Sequence, residues 1–343
     1  MSDPIQQVVP LAMPWPTIDP FLFCVHHRDA YPTGDERGAP VASLAGRHLG
    51  SDFANADGWN MYHGSVVPGF PQHPHRGFET VTFARQGTID HSDSLGATAR
   101  FGGGDVQWMT AGRGIVHSEM FPLLNTDEPN PLELFQIWLN LPGADKLVDP
   151  HFTMLWSEDI PLDHAVDHAG RAADVTVVAG TFHGLVPPDP PPNSWASHDD
   201  TDVAIWHVRL DPSAEFELPS AARQDTVRVL YFFEGSQLSV ADHELNEHSA
   251  TVIDAGVTVT LTAGPDGAEV MILQGRPIGE RVEQQGPFVM NTGAELAQAF
   301  ADYRATEFGG WPWASDDPIH DRDAGRFARH ADGRTEGAGG LGK

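Results

Sequence analysis

Glycine limits what this chain can fold into between residues 78 and 141. Gly87, Gly96, the run at 102–104, Gly112 and Gly114 cut the segment into apolar stretches at 78–84, 88–91, 105–109 and 134–141, each of strand length. Such spacing favours an all-β barrel or sandwich over alternating strand and helix. A second series follows at 175–179, 203–210, 227–233, 237–240, 250–253, 257–261 and 268–274, and Phe233-Glu234-Gly235 echoes Arg85-Gln86-Gly87 ahead of a short strand. Two antiparallel β-barrels of jelly-roll type, built to one plan, are the expected architecture. A chain of 343 residues with 40% hydrophobic content is long enough to fill two such cores.

The punctuation also divides the chain. Residues 1–20 are broken by prolines and read as an N-terminal arm. The first barrel is expected over 21–150, with a strand at 20–25 and a long insertion at about 26–67. There the pattern dissolves around Tyr31, Phe53, Trp59, Tyr62 and the histidines His26, His27, His48 and His63. A loop of that length in a compact domain needs a task. It is read as an insertion with local structure over a pocket mouth. The second barrel is expected over 151–290. Asn291-Thr292 then offers an N-cap, and Leu296, Ala299, Phe300 and Tyr303 fall at helical spacing, so a C-terminal helix is expected within 291–313. The polar stretch at 314–343 reads as a disordered tail, at least from Ala331.

Charge narrows the choice of partners. The formal net charge of −28 repels nucleic-acid backbones and anionic membranes, so neither is expected as a direct partner. Cys24 is the single cysteine, which excludes an internal disulfide, fits a reducing compartment, and reads as a small buried hydrophobe. The sequence shows no basic-then-apolar leader and no apolar run of membrane length, so a cytoplasmic location is expected.

The chemistry concentrates between Pro68 and Met120. In an extended strand alternate side chains share a face, so His73 and His75 point one way, as do His117 and Glu119. Two such pairs facing each other can hold one metal. Three imidazoles and a carboxylate suit Fe(II), Mn(II), Ni(II) or Zn(II) and leave positions open for substrate and oxygen. Glu79 competes for the fourth place, because it lies four residues after His75 with the same parity. Alternation does not choose between Glu79 and Glu119. Arg76 and Arg113 flank the candidate ligands, where an arginine is either solvated or available to an anionic oxygen. Ser118 faces away from His117, and the glycines at 102–104 lack the lysine and helix of a phosphate loop. Trp108, Trp138 and Met109 read as barrel core.

HPHRGFETVTF at 73–83 and GDVQWMTAGRGIVHSEM at 104–120 resemble the signature of the pirin family, a bicupin group. LELFQIWLNLP at 132–142 resembles the segment that closes the first pirin barrel, and GPFVMNT at 286–292 the family's C-terminal ending. The resemblance covers most of 70–308, the second barrel mainly in its layout. It implies one iron in the first barrel, held by His73, His75, His117 and Glu119, with Glu79 beside it as a pocket group. It also implies a metal-free second barrel, where His183, His198, His207, His243 and His248 are scattered. The implied activity is that of a quercetin 2,3-dioxygenase, opening a flavonol-like or other enolisable aromatic with O2 and releasing carbon monoxide. Glu119 would take the substrate's proton as the catalytic group. The alternative is a redox-responsive regulator that binds a protein partner according to the oxidation state of the iron. A monomer is the family-like expectation. The region 26–67 departs from the family by its length, so substrate specificity does not carry over with the motifs.

Overall fold

The computed structural model of the protein describes residues 3–338. In chain order the strands are β1 (Ile5–Pro10), β2 (Phe21–Tyr31), β3 (Gly69–His75), β4 (Phe78–Gln86), β5 (Thr88–Asp93), β6 (Thr98–Gly102), β7 (Asp105–Thr110), β8 (Ile115–Met120), β9 (Asn130–Asn140) and β10 (His151–Leu155). They continue as β11 (Leu162–Val166), β12 (Ala172–Ala179), β13 (Ala204–Leu210), β14 (Glu215–Leu218), β15 (Val227–Glu234), β16 (Leu238–Val240), β17 (His243–Leu245), β18 (Ser249–Ile253), β19 (Val259–Ala263) and β20 (Ala268–Gly275). β21 (Glu283–Gln285), β22 (Phe288–Met290), the helix α1 (Gly293–Thr306), β23 (Phe327–Arg329) and β24 (Thr335–Gly337) complete it. The protein is therefore all-β, with two cupin-like barrels and one C-terminal α-helix. Among the described residues no helix is long and apolar enough to cross a membrane.

Two compact units emerge, and the division is interleaved. One takes the residues up to Val25, Trp138–Asn140 and Asp159–Gly279; the other takes His26–Ile137, Leu141–Glu158 and the chain from Glu280. The second of these contains the first barrel, made of a sheet in the order β10-β7-β4-β9-β2 and a sheet in the order β24-β23-β6-β5-β8-β3. Phe101, Met109, Ile115, Leu134, Phe152 and Trp156 pack in its core. Each such buried side chain contributes roughly 1.5–3 kcal/mol. In the other unit the sheet β1-β18-β15-β20-β13-β12-β11 accompanies a sheet in the order β14-β19-β16-β17. Its interior is filled by apolar residues, among them Val175, Val208, Leu230, Phe232, Val270 and Ile272.

Three expectations need correction. The N-terminal arm is partly a strand, because β1 satisfies its backbone groups against β18, from Ile5 opposite Ile253 to Pro10 opposite Ser249. The first strand does not stop at 25: β2 runs on to Tyr31 and carries His26 and His27 with it. The tail is ordered from residue 314 to residue 338, while 339–343 lie outside the described residues. Composition misled here, because the tail's polar backbone finds buried partners. Trp313 donates its indole N–H to the Asp93 carbonyl at 2.8 Å, and β23 pairs with β6 from Phe327 opposite Arg100 to Arg329 opposite Thr98. Arg100 holds the tail most tightly. Its guanidinium pairs with Asp90 at 2.6 and 2.7 Å and donates to the carbonyls of His320, Asp321 and Ala324. The helix begins as its sequence indicates, with the Thr292 hydroxyl accepting from the Glu295 N–H at 3.2 Å.

The insertion carries the local structure expected of it. Arg47 lies over the Trp59 ring at 3.4 Å, pairs with Asp52 at 2.8 Å, and donates to the carbonyls of Trp59 and Ala56. Asp29 on β2 accepts from the Asn60 N–H at 2.8 Å and from the Tyr62 hydroxyl at 2.7 Å. His27 approaches the same hydroxyl through Nδ1 at 2.8 Å.

Two measurements check these anchors. Arg100→Met leaves Asp90 buried without its partner, so urea denaturation should show a loss of about 3–5 kcal/mol, with the tail becoming sensitive to protease. Burial, helped by the neighbouring His26, pushes the His27 imidazole down to about 4. Protons therefore bind the unfolded chain better, so this contribution is full above about pH 6.5 and is lost as pH falls towards 4. Between pH 7 and 4.5, His27→Gln should lose about 2.5 kcal/mol less stability than the wild type.

Candidate metal centre

β3 and β8 pair antiparallel with His73 opposite His117, after a bulge between Phe70 and His73. Strand periodicity then puts His75 on the same face as His73, and Glu119 on the same face as His117. Two glycines let the strands approach. At Gly69, φ is +134° and a β-carbon would stand 2.5 Å from the Glu119 carbonyl oxygen. At Gly77, after β3, φ is +83° and a β-carbon would meet the Val289 carbonyl oxygen at 2.0 Å.

The three imidazoles converge. Ring centroids lie 4.4 Å apart for His73 and His117, 4.8 Å for His73 and His75, and 4.9 Å for His75 and His117. One nitrogen from each falls within 4.8 Å of the others. Neighbouring donors on a single ion lie roughly 3.0–3.4 Å apart, so the three nitrogens must close in by about an ångström to share one. Among the described residues this is the one group of three or more His, Cys, Asp or Glu side chains with such geometry. His117 carries the sharpest signal. Its ring is fully buried, and among the described residues neither Nδ1 nor Nε2 has a hydrogen-bond partner. A buried polar atom without a partner costs free energy, which a metal ion at one nitrogen would relieve.

Electrostatics favour the same use. Burial pushes His73 down to about 4, and holds His75 and His117 well below the ordinary imidazole value, with the neighbouring His73 adding to the effect on both. The three rings are therefore neutral near pH 7, with lone pairs available. Glu119 Oε2 stands 4.0 Å from His117 Nε2. Its Oε1 accepts from the Thr82 hydroxyl at 2.9 Å, and its Oε2 from the Gln136 amide at 3.0 Å. Burial raises the pKa of this carboxyl, while His91, Thr82 and Gln136 work the other way.

Glu79, the competing carboxylate, is buried on β4 and accepts from the Thr110 hydroxyl at 2.7 Å. The two arginines differ. Arg76 is buried, donates to the Arg113 carbonyl at 2.6 Å and pairs with Asp302 of α1 at 2.7 Å, whereas Arg113 is exposed and pairs with Asp149 at 2.9 Å. Sequence reasoning missed His91, Thr82 and Gln136. His91 lies opposite Glu119 across β5 and β8, with its ring 5.5 Å from that of His117. Only the register reveals that neighbour, since nothing in the spacing of residues 88–91 links it to residue 119.

The family profile described as Pirin matches residues 16–139, and that of the Pirin C-terminal cupin domain matches 205–309. The chain belongs to the pirin family. A pirin-like protein of Caulobacter vibrioides is 35% identical over 272 residues, covering 79% of this chain and 90% of that one. Human pirin is 32% identical over 256 residues, with coverage of 73% and 81%. Among solved structures, quercetin 2,3-dioxygenase from Acinetobacter baumannii matches with a TM-score of 0.66 at 26% identity, covering 85% of this chain and 86% of that one. In this pirin, Thr82→Val removes a donor from Glu119 without changing side-chain size. Metal retention in competition with a chelator should weaken roughly 10–100-fold.

Proposed function

We propose that this pirin is a mononuclear iron dioxygenase that opens a quercetin-type flavonol or another enolisable aromatic with O2, holding Fe(II) through His73, His75, His117 and Glu119. The observation that carries this reading is the buried His117 ring, without hydrogen bonds at either nitrogen, beside two neutral imidazoles and a carboxylate. Mn, Ni or Zn would suit the same donors. The likeness to the quercetin 2,3-dioxygenase of A. baumannii supports the substrate class.

When bound, the metal would supply a Lewis acid and a template for a hydroxylated substrate and oxygen. The chain's own residues do the rest. His73, His75 and His117 remain uncharged because burial disfavours their protonation. Glu119 is a stronger proton acceptor than an exposed carboxylate, since burial raises its pKa. It can take the enolic proton at Oε2 as substrate enters. Thr82 and Gln136 hold that carboxylate in place from β4 and β9, so proton transfer requires no rearrangement of the barrel. Phe70 places an apolar ring 6.2 Å from that of His73, beside the centre.

Protein loaded anaerobically with Fe(II) should hold about one ion per chain by elemental analysis and consume O2 with quercetin. His117→Ala should lose the ion and lower turnover roughly a hundredfold or more, while Glu79→Gln retains it. Full iron occupancy without oxygen uptake across flavonols and catechols would overturn the enzyme and favour a regulator that senses the oxidation state of iron. Iron kept in Glu119→Ala but lost in Glu79→Ala would reassign the fourth ligand.

A further inference from the structure

The insertion brings one more histidine towards the centre. Tyr62 adopts a φ of +56°, a left-handed conformation costly for a bulky aromatic. Its surroundings impose it. Tyr62 exchanges both backbone hydrogen bonds with Asp52 at 2.8 and 3.0 Å, while its hydroxyl is held by Asp29 and His27. The next residue, His63, donates its backbone N–H to the carbonyl of Gly69 at 3.0 Å, the first residue of the strand that carries His73. The ring of His63 stands 5.7 Å from that of Phe70 at 73° and 5.1 Å from that of Phe53 at 71°. Phe70 in turn lies next to His73.

Three features give this cluster the character of a binding surface. His63 Nδ1 lies 2.6 Å from the Gly50 carbonyl oxygen, which fixes the proton on Nδ1 and leaves Nε2 as an acceptor. That Nε2 has no hydrogen-bond partner among the described residues. Phe53 is 53% exposed, although it is a large apolar side chain set against a rigid aromatic cluster of Tyr62, His63 and Phe70. Finally, Phe70 links the insertion to the histidine cluster, its ring standing between that of His63 at 5.7 Å and that of His73 at 6.2 Å.

We propose that the insertion at 32–66 builds the substrate's second subsite: Phe53 and Phe70 contact the pendant ring of a planar polyphenol, and His63 Nε2 accepts a hydrogen bond from a hydroxyl on that ring. This rests on the reading of the centre as one that acts on enolisable aromatics. It assigns selectivity for a hydroxylated pendant ring to the segment between β2 and β3, together with Phe70. His63 binds the substrate at a distance from the bond that breaks, so its loss should discriminate between ligands rather than disable the centre.

The test is an anaerobic titration of Fe(II)-loaded protein with quercetin and with galangin, which lacks the pendant-ring hydroxyls, read by tryptophan quenching. His63→Ala should weaken quercetin binding about fivefold, the worth of one hydrogen bond, and leave galangin unchanged. His63→Gln, which keeps an acceptor, should recover part of the loss. Phe53→Ala should weaken both ligands. Iron content and melting temperature, measured on each variant, confirm that the centre and the fold persist. Equal weakening of both flavonols by His63→Ala, no weakening of either, or no quercetin binding by the wild type would overturn the subsite. Binding that depends on His63 without oxygen uptake once air is admitted would instead overturn the dioxygenase reading and leave the subsite standing.

Discussion

The first barrel depends on keeping three histidines uncharged while they face one another. With ring centroids 4.4–4.9 Å apart, any two imidazolium charges would repel strongly in a site that water scarcely reaches. Their arrangement is set by the register of two strands. A slip of one residue between β3 and β8 would turn His117 and Glu119 away from the face they share with His73 and His75. What fixes that register therefore also fixes the centre. The bulge between Phe70 and His73 and the close approach at Gly69 set the pairing from one end of β3.

The other side of β3 raises a separate problem. β3 is the last strand of its sheet, and an open edge invites slippage or pairing with another chain. The C-terminal segment covers it. Gln72 donates its backbone N–H to the Asp316 carbonyl at 2.7 Å and its side-chain amide to the Asp316 carboxylate at the same distance. Further along, Arg76 donates to the Pro287 carbonyl and accepts from the Val289 N–H. The order seen in the tail follows from this role, since a strand carrying two of the three clustered histidines gains from having both edges occupied. Arg100, which reads the tail's carbonyls from within the barrel, belongs to the same device.

What the sequence made legible, and what it hid, divides along the same line. Period-two alternation and glycine punctuation are local properties, and they located most of the barrel strands, the helix cap at Thr292 and the faces of His73, His75, His117 and Glu119. Long-range pairing leaves no local trace. The neighbours His91, Thr82 and Gln136 come from β5, β4 and β9, and only the fold brings them to Glu119 and His117. The tail illustrates the converse failure. Its composition is that of a disordered segment, but composition reports the scarcity of apolar groups and says nothing of a buried guanidinium that can satisfy backbone carbonyls. Residues 339–343 lie outside the described residues, so the expectation of disorder there stands apart from that correction.

The two barrels share a plan and differ in how they fill it. Where the first barrel places imidazoles, a carboxylate and their supporting hydroxyl and amide, the interior of the second is occupied by Val175, Val208, Leu230, Phe232 and Ile272. An apolar interior packs with few constraints on direction, whereas each buried polar group in the first barrel needs a partner at a fixed angle. The first barrel accordingly needs many more anchors. Arg47 stacks on Trp59, Asp29 gathers Asn60 and Tyr62, and Arg76 reaches Asp302. The first two hold the insertion, where the sequence shows no regular pattern, and the third ties the end of β3 to the C-terminal helix. In this protein the irregular segments supply the rigidity that a polar barrel interior cannot obtain from its own packing.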